Sequence, residues 1–337
     1  MNQKTPPSPQ LFWDTITAFQ RSAAIKAAVE LDIFTKIGEG NRTASEISEA
    51  CEASERGVRI LCDTLTVMGF LTKENSEYNL NEVSAAFLDQ RSPMYLGGAV
   101  EFILSPMQRR GFDNLTEAVR RGGSAVPDND SLSPESEMWV RFARGMTGLM
   151  MPSAQMMAEN LGFEPDRKFK VLDIAAGHGL FGVIVAQKYR NAEIYALDWA
   201  NVLQVATENA QKFGVAERYH TIPGSAFDVE FGDNYDVVLL TNFLHHFDHE
   251  TCENLLKKIH QSLNENGKVL TLEFVPNQDR VSPPSEAMFA LVMLAGTPAG
   301  DAYTFAELRG MFEAAGFSRN EHIPLAPLPQ HLIVSMK

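Results

Sequence analysis

The sequence predicts an α/β fold in which a mainly parallel sheet, covered by helices on both faces, follows a mainly helical N-terminal domain. In residues 166–337, short apolar segments such as KVLDIA and YDVVLLTNFL alternate with amphipathic segments such as VLQVATENAQKFGV. That alternation is typical of a parallel sheet whose two faces are both buried. The last segment, EHIPLAPLPQHLIVSMK, contains two extended runs with no helical segment between them. Because parallel neighbours need a crossover connection, we expect these two runs to pair antiparallel.

The N-terminal domain, residues 1–95, is predicted as short helices followed by a hairpin. Thr43 and Glu46 have the spacing of a capping box at the start of a helix. The segment SERGVRILCDTLTVMGF has apolar residues at helical spacing and ends at Gly69. The segment LTKENSEYNL has the pattern of two short strands around a polar turn. Helix, turn, helix and small hairpin is the order of elements in a winged helix.

A winged helix has two interpretations, a DNA-binding domain or a protein–protein module. Residues 1–100 contain 9 Lys and Arg against 13 Asp and Glu. The helix that would enter a DNA groove offers only Arg56 and Arg59 as cations, with acidic residues nearby. Since phosphate neutralisation dominates affinity for DNA, this composition favours the protein–protein module. A regulator that senses a small molecule through a winged helix is the alternative.

Charge and composition exclude several partners. The formal net charge of −14 opposes non-specific binding to nucleic acid and to anionic membrane surfaces. No apolar run approaches the roughly 18 residues of a membrane span. The three cysteines are odd in number and lack C-x-x-C spacing, which indicates reduced thiols. We therefore expect a cytoplasmic protein with neither membrane nor nucleic acid as a partner.

Residues 96–165 are predicted to be helical and are rich in methionine and phenylalanine. Met146, Met150 and Met151 come directly before the α/β region. Methionine stripes of this kind either fill a core or line a cleft, and the sequence leaves both interpretations open.

The segment GHGLFG, Gly177–Gly182, fits the G-x-G-x-x-G pattern of dinucleotide-binding sites, and Asp198 follows at about the distance of a ribose-binding acid. A nicotinamide cofactor is therefore the first hypothesis. The strand before the glycines, however, ends in Asp173, and three further residues precede Gly177. A carboxylate at this position suits the cationic end of a ligand better than a pyrophosphate.

This D-x-x-x-G-x-G pattern, the acid that closes the second strand and the antiparallel C-terminal runs resemble the class I methyltransferases, which have a Rossmann-like sheet with a reversed last strand. The segment NFLHHFDHETCENLLKKIHQSLNENGKVLTLEFV resembles the catalytic segment of the small-molecule O-methyltransferases, including plant caffeate and bacterial polyketide enzymes. Those enzymes also begin with a winged-helix-like dimerisation domain, so the resemblance covers nearly the whole chain. It implies a homodimer whose chain comprises a dimerisation domain (1–95), a helical linker and substrate region (96–165) and a cofactor domain (166–337).

The resemblance implies S-adenosylmethionine as the cofactor, with S-adenosylhomocysteine as its product. Gly177 and Gly179 would let the backbone approach the ligand, and Asp198 would accept the ribose hydroxyls. The segment PGSAFD stands where the family has Gly-Asp-Met-Phe. The aspartate that binds the adenine amine in the family is therefore absent. The residues implied in cofactor binding are Asp173, Gly177, Gly179, Asp198, Trp199, Ser225, Ala226, Phe227, Thr241 and Asn242.

His245 matches the general base of the family, since a positioned imidazole with a pKa near ~6.5 can deprotonate a phenol near neutral pH. Glu273 matches one of the two glutamates that orient the base, and the second falls at Ala302 and is missing. The implied acceptor is a hydroxyl of an aromatic or polyketide-like small molecule. The implied acceptor contacts are Phe102, Met107, Phe142, Met146, Phe289, Met293 and Thr297. All but Thr297 are apolar, which suits a flat aromatic molecule.

Two alternatives to this chemistry remain. His245 and His249 lie at i, i+4 beside two acids, a spacing that can bind zinc. The His-Glu-x-x-His order is absent and the resembling enzymes need no metal, so we expect none. The missing second glutamate leaves open a family member that binds the cofactor but carries out non-methylating chemistry.

Overall fold

The computed structural model describes residues 7–126 and 136–337. Residues 1–6, at the start of the predicted first domain, and residues 127–135, within the predicted helical region, lie outside the described part. The chain forms two compact units, Met1–Ser105 and Pro106–Lys337. Within the described ranges, no helix is both long enough and apolar enough to cross a membrane.

In the first unit, residues 7–105 form six helices and a two-stranded hairpin. Thr43 and Glu46 form the predicted capping box, and β1 pairs antiparallel with β2. Its core contains Phe34, Leu65 and Tyr78, each almost fully buried. The elements are α1 (Gln10–Glu30), α2 (Ile33–Gly38), α3 (Ala44–Ala50), α4 (Glu55–Val67), β1 (Leu71–Glu74), β2 (Glu77–Leu80), α5 (Glu82–Phe87) and α6 (Gly98–Ile103).

The first half of α1 carries an exposed apolar surface. We call this surface the α1 apolar stripe; it consists of Leu11 (78% exposed), Phe12 (60%), Trp13 (54%), Ile16 (44%) and Phe19 (67%). Large apolar side chains grouped in this way mark an interaction surface more often than scattered single ones do.

The second unit is the predicted α/β domain, preceded by three helices. Its elements are α7 (Pro106–Asp113), α8 (Leu115–Arg121), α9 (Glu137–Glu159), β3 (Phe169–Ile174), α10 (Leu180–Lys188), β4 (Ala192–Asp198), α11 (Ala200–Lys212), β5 (Tyr219–Pro223), β6 (Tyr235–Thr241), α12 (His249–Ser262), β7 (Leu263–Glu273), α13 (Pro284–Gly296), α14 (Phe305–Ala314), β8 (Arg319–Pro324) and β9 (His331–Met336).

The seven strands form one sheet in the order β5-β4-β3-β6-β7-β9-β8. The first five pair parallel, and β9 pairs antiparallel with both β7 and β8. The predicted fold class, including the reversed C-terminal strand, is therefore confirmed. The central strands are buried along most of their length, which explains why they appear in the sequence as continuous apolar segments.

The order of strands determines where a ligand crevice lies. From β3 the chain builds outward through β4 and β5, and then returns to place β6 on the other side of β3. In open parallel sheets the crevice forms at such a switch point, beyond the carboxyl ends of the strands. The turns after β3, β4, β5 and β6 therefore meet at one edge.

Candidate active site

The turn after β3 has the backbone of a ligand-binding loop. Ala175 and Gly177 both adopt left-handed conformations, with φ of 53° and 57°. A Cβ on Gly177 would meet nothing closer than 3.9 Å, so this position opens onto free space. The left-handed conformation is unfavourable for alanine and is retained mostly at functional sites.

Asp198, at the end of β4, links this turn to the next. Its carboxylate accepts hydrogen bonds from the N–H of Gly177 (2.8 Å) and of Trp199 (2.7 Å). Burial raises the pKa of Asp198 to about 6, although both amide hydrogen bonds oppose that shift. The Trp199 side chain packs against a small apolar cluster from α9 and α11.

Asp173 and Gly179, on either side of this turn, are more buried than Ala175 and Gly177 within it. Asp173 is fully buried and accepts a hydrogen bond from the Gly182 N–H at 3.1 Å. Burial raises its pKa to about 7. A Cβ on Gly179 would lie 2.5 Å from the Tyr219 hydroxyl, so packing within the domain already requires glycine there. Contact of either residue with a cofactor stays a prediction.

The loop after β5 is held beside Asp198, because the Gly224 N–H donates to the Asp198 carbonyl at 2.9 Å. The Ser225 hydroxyl accepts from the Phe227 N–H at 3.2 Å, and Ala226 is buried. Phe227 is 41% exposed and its ring lies 5.0 Å from that of Phe247. A partly exposed aromatic ring next to Asp198 is the arrangement that a purine with its ribose would need.

Lys258 of α12, which the sequence analysis missed, anchors this loop. Its ammonium group donates to the carbonyl oxygens of Ala226 (3.1 Å), Phe227 (3.3 Å) and Val229 (2.6 Å). Three carbonyls around one cation fix the path of the loop. Nothing in the local sequence indicates this contact, since about 30 residues separate the partners.

A polar network lies at the end of β6. Asn242 adopts a left-handed conformation with φ of 51°. Its side-chain oxygen accepts from Gln330 at 3.3 Å, and the Ser153 hydroxyl donates to Gln330 at 2.7 Å. Met150 lies beside both amides, with its sulfur 3.8 Å from Asn242 and 3.5 Å from Gln330. The neighbouring Thr241 is buried.

His245 and Glu273, the two predicted catalytic residues, lie against each other. His245 lies in the 3₁₀ turn Leu244–His246, and both side chains are almost fully buried. One oxygen of Glu273 is 2.5 Å from Nδ1 of the His245 ring. The other accepts from the backbone N–H groups of Phe243 (3.0 Å), Leu244 (2.9 Å) and His245 (3.4 Å). The same carboxylate therefore holds both the turn and the ring.

This contact determines the tautomer of His245. A carboxylate that already accepts amide hydrogens also accepts from the ring, so the ring donates through Nδ1–H. The lone pair of the neutral ring is then on Nε2. An imidazole oriented by a carboxylate in this way is equipped to remove a proton.

Aromatic rings surround the two histidines. Phe289 of α13 packs edge-on against His245 at 4.9 Å. Trp139 of α9 contacts His246 at 5.9 Å and Phe142 at 5.7 Å. Burial, followed by the neighbouring His245, lowers the pKa of His246 far below its ordinary value. His246 is therefore a neutral ring that packs among aromatics.

The loop after α13 lies close against the turn that carries His245. A Cβ on Gly300 would lie 2.2 Å from the carbonyl oxygen of His245. Ala302, at the position of the missing second glutamate, is fully buried. The Thr297 hydroxyl donates to Met293 and accepts from the Gly300 N–H, so internal bonds already engage this predicted acceptor contact.

The remaining predicted acceptor contacts are on several helices. Met146 on α9 and Met293 on α13 are buried, whereas Met107 on α7 is half-buried. Phe102 is half-buried on α6, in the first unit. Among the described residues, no three His, Cys, Asp or Glu side chains are arranged to hold a metal ion. All site roles, including the expected absence of a metal, stay predictions.

The sheet order with its reversed C-terminal strand, and a site at the carboxyl ends of the parallel strands, define a class I methyltransferase fold. The O-methyltransferase domain family matches residues 131–318, and the O-methyltransferase dimerisation domain family matches residues 13–90. The chain therefore belongs to the O-methyltransferase family, and the predicted resemblance is confirmed.

Proteins similar to this chain match it over nearly its full length. The 3-hydroxy-5-methyl-1-naphthoate 3-O-methyltransferase of Streptomyces sahachiroi is 26% identical over 320 residues, 93% of this chain and 92% of that protein. A crystal structure from Nostoc punctiforme, described as a candidate O-methyltransferase, is 54% identical with a TM-score of 0.94, covering 99% of this chain and 100% of that one. Human N-acetylserotonin methyltransferase, solved in complex with S-adenosylmethionine, is 21% identical with a TM-score of 0.86, covering 100% and 99%.

Proposed function

We propose that this protein transfers the methyl group of S-adenosylmethionine to a hydroxyl of an aromatic small molecule, with His245 as the general base. The observation that carries the proposal is the buried His245–Glu273 pair, whose geometry leaves Nε2 as a proton acceptor among aromatic rings. Family membership supports the reaction class, and the naphthoate relative supports an aromatic acceptor.

The residues fit the cofactor. Gly177 opens onto free space, Asp198 offers a partly buried carboxylate, and Phe227 offers an exposed ring face. Gly177 would let the backbone approach the cofactor closely. Asp198 would accept the ribose hydroxyls, and Phe227 would pack on the adenine ring. When bound, S-adenosylmethionine supplies a methyl group activated by its positively charged sulfur.

The residues of the chain handle the proton. Nε2 of His245 takes the proton of the acceptor hydroxyl, and the electron pair of the O–H bond stays on oxygen. The oxygen thereby gains the charge that attack on a methyl carbon requires. Glu273 stabilises the imidazolium, because its carboxylate lies against Nδ1–H. Buried walls exclude the water that would otherwise solvate the reactive oxygen.

Helix α13 and the 297–304 loop lie on two sides of the site. This arrangement supports an acceptor that is flat and largely apolar. The protein acts as a homodimer through its first unit, which the dimerisation-domain match and the α1 apolar stripe support. Its cytoplasmic location stays a prediction.

Calorimetric titration with S-adenosylhomocysteine tests the cofactor. We expect binding by the wild type and a loss of tenfold or more in Asp198→Ala, since a buried charged acceptor is removed. Asp166→Ala is the control, because Asp166 is 69% exposed and pairs only with Arg190 among the described residues. Equal affinity of the wild type and Asp198→Ala would contradict the assignment of Asp198.

Methyl transfer from labelled S-adenosylmethionine to hydroxynaphthalenes tests the reaction. A labelled methyl ether is the expected product. The non-methylating alternative, which the alanine at position 302 favours, predicts cofactor binding without label transfer to any hydroxylated acceptor.

A further inference from the structure

Glu286 of α13 is a buried carboxylate that the proposed function does not use. It is 6% exposed. Among the described residues its one ion-pair contact is with His331, whose Nε2 lies 3.4 Å from a carboxylate oxygen, and the carboxylate forms no hydrogen bond. A carboxylate has about four acceptor positions, and a buried charge without partners is unfavourable. Most of the hydrogen-bonding capacity of Glu286 is therefore unused by residues 7–126 and 136–337.

Helix α13 places this carboxylate close to the candidate base. Glu286, Phe289 and Met293 are at i, i+3 and i+7, so they share one face of the helix. Phe289 packs edge-on against the His245 ring at 4.9 Å and stacks on Phe274 at 4.0 Å. Glu286 thus lies one helical turn from the ring that contacts the base.

The sheet places the partner of Glu286 in the same region. His331 on β9 is the cross-strand partner of Glu273 on β7. Side chains of directly paired residues in antiparallel strands project from the same face of the sheet. The Glu286–His331 pair therefore borders the Glu273–His245 pair, and two independent elements, α13 and β9, bring it there.

His331 is held in one orientation. Its Nδ1 is 2.6 Å from Nε2 of His322, and Phe305 stacks on the His322 ring at 4.8 Å. One hydrogen lies between the two facing nitrogens. If His322 donates it, His331 presents Nε2–H to Glu286; the reverse arrangement would turn a lone pair toward the carboxylate. The first arrangement is favoured because it turns a hydrogen, and not a lone pair, toward the carboxylate oxygen that lies 3.4 Å away. The second carboxylate oxygen has no hydrogen-bond partner among the described residues.

We propose that Glu286 accepts a hydrogen bond from a second donor group, a hydroxyl or an amine, on the acceptor molecule. The site then selects aromatic acceptors that carry two donors: the hydroxyl to be methylated and a second group that binds Glu286. Glu286 is a specificity-determining residue, and His331 positions it. The inference deepens the proposed function and rests on it.

Equilibrium binding in the presence of S-adenosylhomocysteine tests the inference without turnover. The probes are the isomeric dihydroxynaphthalenes and, for each, the fluoronaphthols in which fluorine replaces one hydroxyl. Fluorine keeps the size of the group but cannot donate a hydrogen bond. We expect the wild type to bind at least one dihydroxynaphthalene about 10- to 100-fold more tightly than its fluorinated partner, the usual worth of a hydrogen bond to a charged group.

Glu286→Gln separates recognition from packing. Its side-chain oxygen can accept from His331, which turns the amide NH₂ toward the acceptor. We expect the preference for the second hydroxyl to fall about 5-fold or more, because a neutral amide replaces the charged acceptor, while affinity for the fluoronaphthol stays near the wild-type value. If Glu286 had only a structural role, the substitution would lower the affinity for both probes alike. Glu313→Gln, which neutralises an exposed carboxylate on α14, should leave the preference unchanged.

Three results would overturn the inference: no binding of any dihydroxynaphthalene, no preference over the fluoronaphthols in the wild type, or an unchanged preference in Glu286→Gln. Failure of the proposed function is distinguishable. It appears as selective binding without methyl transfer from S-adenosylmethionine, and that result leaves the binding role of Glu286 supported.

Discussion

The tautomer of His245 depends on one carboxylate, and Glu273→Gln tests this dependence. The amide oxygen of glutamine can keep the three backbone hydrogen bonds of the turn, but its NH₂ would then face Nδ1. The ring would have to accept through Nδ1 and would carry its hydrogen on Nε2, where the lone pair is needed. We expect methyl transfer to fall by roughly 10²–10⁴, measured as a single-turnover rate, with S-adenosylhomocysteine affinity retained.

His245→Ala should lower the rate by a similar factor, because it removes the proposed base. His246→Ala is the matched control, since burial lowers the pKa of His246 far below its ordinary value and the ring packs against Trp139. A wild-type single-turnover rate in His245→Ala would mean that proximity to the cofactor alone drives transfer. A larger loss in His246→Ala than in His245→Ala would reassign the base.

Ionisation of the buried Asp173 carboxyl opposes folding. Its pKa in the folded protein is about 7 against an ordinary value of 3.8, because it is buried. Between these two values the unfolded chain loses a proton that the folded chain keeps, so stability falls as pH rises through this window and levels off above it. Asp173→Asn removes that dependence.

We therefore expect Asp173→Asn to raise the free energy of unfolding of the ligand-free protein on the order of 3 kcal/mol at pH 8 and by little at pH 4. Oδ1 of Asp173 is buried and has no hydrogen-bond partner among the described residues, so the substitution breaks no hydrogen bond of that atom. Urea unfolding at the two pH values measures the difference. A gain that is equal at both would show that ionisation of Asp173 is not its cause.

At the scale of residues, the sequence shows which residues stand at strand ends but not which residues make contacts across the fold. Asp173, Asp198 and His245 directly end or follow apolar strands, and such positions are visible in a sequence. Lys258 and His331 owe their roles to partners distant in the chain, and no local pattern encodes such contacts. Glu286 did leave a signal, a single acid in the apolar segment SEAMFALVMLAG, because a buried charge needs a partner.

At the scale of elements, the loop after β5 depends on α12 for its shape. Lys258→Met removes the ammonium group that donates hydrogen bonds to three carbonyl oxygens, and it keeps a side chain of similar length. Because this loop carries Phe227, we expect S-adenosylhomocysteine affinity to fall about 5- to 30-fold, as for the loss of a charged hydrogen bond. Calorimetry measures the change.

Lys257→Met is the matched control. Lys257 is the preceding residue on α12, is 48% exposed, and pairs with Glu253 of the same helix. Its loss should leave cofactor affinity within about twofold, as for an exposed ion pair. If both variants bind equally well, Lys258 does not shape the cofactor site.

The strands and helices of the second unit were predictable for a simple reason. Strands such as Tyr235–Thr241 are buried on both faces and so form continuous apolar segments. The antiparallel pairing of Arg319–Pro324 with His331–Met336 followed from the absence of a crossover helix. That the last strand enters the sheet beside β7 was not locally encoded, since register depends on contacts formed only in the folded state.

At the scale of the whole molecule, the α1 apolar stripe predicts self-association. We expect the wild type to sediment as a dimer at micromolar concentration. Phe12→Glu combined with Phe19→Glu should shift the protein toward monomer, because both rings are more than half exposed and a charge at either would be buried in the interface.

Val67→Glu is the control for added charge and lost apolar surface. Val67 is 89% exposed, in the same unit but on α4, so the substitution should leave the dimer intact. A wild-type protein that stays monomeric at these concentrations, or a stripe variant that stays dimeric, would contradict the predicted interface.

The strand order has a consequence for how the activity could diversify. The predicted cofactor contacts at the ends of β3, β4 and β5 come from one contiguous stretch, residues 173–227, whereas the α13 segment and its closing loop, residues 284–304, carry Glu286, Phe289 and Met293. The two stretches do not overlap in the chain. A gene segment encoding the second could therefore be exchanged for that of a relative, giving a chimaera with a new acceptor range and an unaltered methyl donor.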